Sequence, residues 1–178
     1  FADLLIDQTL WPDQAMGRDV GGSKESVGAI PRKALVDYHA KQYVPNNVVV
    51  SIAGNITHAE VMETVSAAMG DWEPGSPLGW EAVRPAPGGT RISLGTRKTD
   101  QAHVCLAMDG VSNQASDRYV VDMMNAVLGE GMTSRLFMEV RERQGLAYEV
   151  HSSAMHYLDC GAFVVYCGVD TSKVDGAL

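Results

Sequence analysis

An α+β fold, mostly antiparallel sheet with helices packed on one face, is predicted by three features of the chain. Over its second half the strand-like and helix-like segments are grouped in the order β-β-α-α-β-β, not alternated. The helical segments repeat apolar residues with a period near 3.6, and the strand-like ones are apolar and rich in β-branched residues. A Pro/Gly-rich stretch that breaks both periods separates this half from the first.

The elements follow in order. Leu4, Leu5, Thr9 and Leu10 lie at spacings compatible with one face of a helix. A helix is expected from Pro31 to about Gln42, since proline suits the first helical position. Val48-Val49-Val50-Ser51-Ile52-Ala53 reads as a strand covered on both faces, closed by Gly54-Asn55. Thr57 and Glu60 have the spacing of a capping box, after which Val61, Val65, Ala68 and Met69 repeat with helical period and Gly70 stops the helix. Residues 74–89 read as a linker. Strands are expected near Thr90–Thr96 and Ala102–Met108. Next comes a helix in which Tyr119, Val120, Met123, Met124, Val127 and Leu128 form one core stripe, with Ser116 or Asp117 as cap and Gly129 as stop. A second helix, Ser134–Gln144, turns Leu136, Phe137 and Val140 inward and ends at Gly145. Strands Ala147–Tyr157 and Gly161–Val169 close the pattern, and a further helix starts at Thr171.

The 178 residues are 46% apolar and 20% charged, ordinary for a globular protein. The net charge is −8 and the basic residues are scattered, which argues against nucleic-acid binding. No apolar run reaches the length of a membrane span. The chain begins Phe1-Ala2-Asp3 without a positive n-region, so a signal peptide is not expected there. A soluble protein with a cytoplasmic location favoured is the resulting expectation. Both ends read as cut from something longer, because the first residues lie inside a helix and the last just after a helix start.

Cys105, Cys160 and Cys167 are odd in number and lack CxxC spacing, so buried reduced thiols are expected. His39, His58, His103, His151 and His156 form neither HExxH nor HxxEH. His151 and His156 would point to opposite faces of one strand. No metal site is expected within the chain. Gly129-Glu130-Gly131 precedes a helix and reads as a tight turn between helices.

One pattern is more specific. Leu128-Gly129-Glu130-Gly131-Met132-Thr133-Ser134-Arg135-Leu136-Phe137 continues through Arg141-Glu142 to Gly145-Leu146-Ala147-Tyr148. It resembles the segment GxGMSSRLFxxxRExxGLAY of the insulinase/pitrilysin-type zinc metallopeptidases and the processing peptidases. Trp11-Pro12, Met16-Gly17-Arg18 and Gly21 to Ser26 are similar to that family's GHPLGRxxxGxxES stretch, with Gln14-Ala15-Met16 replacing the usual His-Pro-Leu. Tyr43-Val44-Pro45-Asn46-Asn47 with Val48 to Asn55, and Asp159-Cys160-Gly161-Ala162-Phe163, resemble two further family segments in the same order.

The resemblance implies a partial processing-peptidase-like metallohydrolase fold and a chain that follows the HxxEH helix. Residues 1–73 would close the zinc-bearing domain, 74–89 link, and 90–178 open the following non-zinc domain. The zinc, the two His and two Glu that bind it and activate water would lie upstream of Phe1. The implied activity is hydrolysis of peptides in a two-domain clamp by the full-length parent, with this segment alone inactive. The implied partners are a peptide substrate and the upstream domain, with a homo- or heterodimer also open. In active members an Arg and a Tyr placed like Arg141 and Tyr148 reach the substrate. Tyr148 would stabilise the oxyanion and Arg141 would hold peptide carbonyls. The alternative is a non-catalytic peptide-binding or structural partner subunit of the same family.

Overall fold

The computed structural model describes residues 1–85 and 88–178; Ala86 and Pro87, inside the expected linker, lie outside the described residues. The chain forms two compact units. One comprises Phe1–Val20 with Ala82–Leu178, the other Gly21–Glu81.

The larger unit is built on a three-stranded antiparallel sheet of β1 (Gln101–Asp109), β2 (Ala147–His156) and β3 (Gly161–Asp170), with β3 in the centre. Among the described residues β3 is the most deeply buried strand because it alone is paired on both sides: Ala107 and Ser153 oppose Val164, and Val104 and Val150 oppose Cys167. Alternation along β3 sends Ala162 and Val164 to one face and Cys167 and Val169 to the other. The first face carries α1 (Ala2–Leu10), whose Leu10 joins Trp11, Ala162 and Val164 in a core. Trp11 meets the Tyr157 ring edge-on at 5.8 Å. The second face carries α5 (Arg118–Leu128), a wide π-type helix (Phe137–Arg143) and the short α6 (Val174–Ala177). Leu136, Val140, Val174 and Ala177 pack there on Ala147, Val150, Cys167 and Val169. This is the α+β class expected from the sequence.

The smaller unit holds α2 (Lys24–Gly28), α3 (Arg32–Gln42) and α4 (His58–Met69). Both halves of the capping box expected at Thr57 and Glu60 form. Ser23 and Ser26 make a second one on α2.

Three expectations are corrected. Residues 48–53 form no ladder, and Val48, Val49, Val50 and Ile52 are exposed. A strand is a property of a pair, and among the described residues of this unit no neighbouring strand is present to bond with it. Residues 90–96 likewise form no ladder, so among the described residues β1 has one strand neighbour, β3. Their alternation nonetheless persists. The Arg91 Nε donates to the Thr9 carbonyl at 2.7 Å, Ser93 and Thr9 share a hydrogen bond, and Gly95 abuts the Phe1 ring, whereas Ile92 and Leu94 are about 90% exposed. In α5 the expected core stripe is turned outward except at Leu128, which is half-buried. Tyr119, Val120, Met123, Met124 and Val127 are exposed, and the helix meets the sheet through Asp122, Asn125 and its end at Gly129. Polar bonds to β2 fix this rotation: Ser152 Oγ donates to Asn125 Oδ1 at 2.7 Å, and His156 bonds Asp122.

His156 makes stability depend on pH. Its Nδ1 lies 2.6 Å from the Val111 carbonyl and its Nε2 3.1 Å from Asp122 Oδ1. A neutral ring can donate from one nitrogen only, so two acceptors favour the imidazolium. The Val111 carbonyl foremost, then Asp122, raises the pKa above the ordinary 6.5, against burial and the nearby Arg118. This contribution is fully present below the unfolded imidazole pKa and is lost as pH rises through the higher folded one. The melting temperature is expected to fall with alkaline pH across that window, and the fall should flatten in His156→Gln. An identical pH profile in the variant refutes the assignment.

Candidate functional site

The turn that joins the π-helix to β2 brings together two departures from regular geometry. After Arg135 and Leu136 the helix widens over Phe137–Arg143, and Gln144 N donates to the Glu139 carbonyl five residues back, at 3.1 Å. Such π-type turns are rare and frequent at functional sites. Gly145, at φ +59, reverses the chain in a left-handed conformation that favours glycine. Gly145 N donates to the Arg141 carbonyl and Lys173 Nζ donates to the Gly145 carbonyl, which fastens the turn to the segment before α6. The second departure is a β-bulge. Ala147 opposes Val169 and Glu149 opposes Gly168, so Tyr148 is the extra residue without a partner on β3. The bulge lets Ala147 and Val150, three apart, both face the core while Tyr148 and Glu149 stay exposed.

Arg141 and Tyr148 therefore stand at the two ends of one turn, on the two irregularities. Tyr148 is 58% exposed. The Arg141 guanidinium lies 4.9 Å from the centre of the Phe137 ring, and its side chain is 45% exposed. Among the described residues the only carboxylate within 4 Å of it is Glu142, at 3.9 Å from Nε. Glu139 is engaged elsewhere: it accepts from Arg143 at 2.9 Å and Gln144 at 3.0 Å, and these bonds, Gln144 first, lower its pKa. The pairing expected between Glu139 and Arg143 is thus present, and it leaves Arg141 outside it. Sequence reasoning placed Phe137 inward but missed its contact with Arg141; the spacing of four residues on one helix was the available signal.

Among the described residues no group of three or more His, Cys, Asp or Glu side chains is placed to hold a metal ion. His103 and His151 lie on β1 and β2 and flank Tyr166 of β3. Strands are about 4.8 Å apart, so these two rings stand about 10 Å from each other, too far to share an ion. Both nitrogens of His156 face other partners. Among the described residues, then, these side chains are not placed together as a zinc centre requires. The thiols of Cys105, Cys160 and Cys167 are free, and burial raises the pKa of each. No helix among the described residues is long and apolar enough to cross a membrane.

This fold recurs in known proteins. The family model described as the peptidase M16 inactive domain matches residues 29–178. An uncharacterized zinc protease of Streptomyces coelicolor is 39% identical over 98% of this chain, which spans 39% of that protein. The crystal structure of a peptidase M16 inactive domain from Pseudomonas fluorescens superposes with a TM-score of 0.83 at 25% identity, over 95% of this chain and 41% of the other. A chain of complex III2 from Candida albicans shares the fold at a TM-score of 0.80 and 16% identity, covering 99% of this chain and 44% of its own. The domain is thus of the metallopeptidase type that the sequence pattern resembles. The chain belongs to the peptidase M16 family, and it spans about two fifths of the length of the curated relatives it matches.

Proposed function

We propose that this chain is the substrate-contacting part of a longer zinc endopeptidase, in which Arg141 and Tyr148 reach a peptide bound at the metal of a preceding domain. The observation that carries this reading is the exposure of both side chains at the two ends of one glycine-pinned turn, each on a backbone irregularity. Peptide hydrolysis builds negative charge on the scissile carbonyl oxygen, and a phenolic O–H is a donor suited to it. A guanidinium presents a planar fork of N–H groups that suits main-chain carbonyls. In this reading residues 1–73 close the zinc-bearing domain, 74–89 link, and 90–178 open the next, with α1 the part of the first that rests on the sheet of the second. The zinc would serve to polarise the carbonyl and activate water, and it would be held by residues outside this chain.

The full-length protein is expected to hydrolyse an extended fluorogenic peptide in a chelator-sensitive manner, and the 178-residue chain alone to leave it intact. Arg141→Lys keeps the charge and loses the fork, so it should raise KM more than it lowers kcat. Chelator-sensitive turnover by the pure 178-residue chain, or a wild-type KM in Arg141→Lys, overturns the reading.

A further inference from the structure

We infer that Phe137 is a positioning residue for substrate binding, the shelf that holds the Arg141 guanidinium ready for a planar oxygen acceptor. The inference rests on the reading of Arg141 as a substrate contact. Phe137 and Arg141 are four residues apart on the widened helix, and the guanidinium carbon lies 4.9 Å from the ring centroid, within cation–π range.

The chemistry of that contact separates two parts of the guanidinium. A cation–π contact draws on the charge of the guanidinium, and the ring accepts no conventional hydrogen bond from its five N–H donors. An arginine held by a bidentate carboxylate spends those donors on its partner. Here Glu139, the carboxylate one helical turn away from Arg143 and on the same helix as Arg141, is occupied by Arg143 and Gln144. Glu142 approaches Arg141 only to 3.9 Å, longer than a hydrogen bond. An aromatic shelf therefore holds the Arg141 guanidinium beside the ring without a carboxylate within hydrogen-bond distance spending its donors. The group those donors fit is a peptide carbonyl, or a carboxylate of an acidic side chain. Pre-orientation also removes part of the side-chain entropy that an unsupported arginine loses on binding.

Phe137 is half-buried, so it also touches the interior, and its role must be separated from packing. In the full-length enzyme Phe137→Leu keeps an apolar side chain and removes the ring. It is expected to raise KM for an extended peptide about two- to fivefold with kcat nearly unchanged, the size of one exposed cation–π contact. Phe137→Tyr keeps the π face and should restore the wild-type KM. Incorporation of a tetrafluorinated phenylalanine at position 137 keeps ring shape and packing but depletes the π face, and should raise KM as leucine does. In an Arg141→Met background none of these changes should move KM further. A wild-type KM in the fluorinated protein refutes the shelf, whether or not Phe137→Leu folds. If Arg141→Met itself leaves KM unchanged, the substrate-contact reading fails instead. A raised KM in Arg141→Met with no effect of fluorination leaves that reading intact and removes only Phe137.

Discussion

Tyr148→Phe in the full-length protein is expected to lower kcat by about a hundred- to a thousandfold, the usual cost of removing one oxyanion donor. The variant keeps the ring and deletes only the hydroxyl. Tyr148 is exposed, so the deletion opens no cavity and leaves no buried group without a partner. The backbone that presents Tyr148 depends on the register Ala147↔Val169 and Glu149↔Gly168, which the hydroxyl does not touch. Melting behaviour should therefore match wild type while turnover collapses. A donor that acts only as charge develops lowers kcat and kcat/KM together and leaves KM in place. Steady-state kinetics on one fluorogenic peptide, with a thermal melt beside it, suffice to decide. Wild-type kcat in Tyr148→Phe reduces Tyr148 to an exposed strand aromatic.

How far the sequence could be read depends on the range of the interactions involved. Caps and turns are local, so Thr57 with Glu60 and the stop at Gly145 were legible. The pair of strands from Ala147 to Asp170 was legible because both partners lie close in the chain and β3 is continuously apolar. Val48 to Ala53 has the composition of a strand, but pairing is decided by a neighbour, and none is present among the described residues of its unit. In α5, apolar count favoured the stripe through Met123 and Met124, whereas Asn125, Asp122 and Gly129 set which side meets β2. Periodicity ranks faces by hydrophobicity and does not register a close-fitting glycine or a hydrogen bond. The bulge left a trace in the spacing of Ala147 and Val150, three apart where a regular strand would place core residues two apart. The widened helix left none. Arg141 and Tyr148 as candidates came from the resemblance; composition and spacing alone would have left them as a solvated helix face and a strand aromatic.

Gly129→Ala is expected to destabilise the larger unit by about 2–4 kcal/mol, combining overpacking with damage to one hydrogen bond. The reason is contact: Gly129 sits at φ −147 and ψ 8, outside the left-handed region that favours glycine. A Cβ there would fall 2.3 Å from both Ser152 N and Ser152 Oγ and 2.7 Å from Ser152 Cβ. The same spot carries the bond from Ser152 N to the Gly129 carbonyl at 3.2 Å and that from Ser152 Oγ to Asn125 at 2.7 Å. Relief would need α5 and β2 to separate. Because one clashing atom is the backbone nitrogen of β2, Ser152→Ala should not rescue Gly129→Ala. Gly131 supplies the contrast. At φ +82 with open space around its missing Cβ, Gly131→Ala should cost only the left-handed backbone penalty, about 1–2 kcal/mol. Urea unfolding of the three variants separates the terms. The fit of α5 against β2 is refuted if Ser152→Ala restores the Gly129→Ala midpoint, or if Gly129→Ala is no more harmful than Gly131→Ala. The expected order places Gly129→Ala below Gly131→Ala and the double variant no higher than Gly129→Ala, since the helix end and the strand that follows Tyr148 meet with no room for a methyl group.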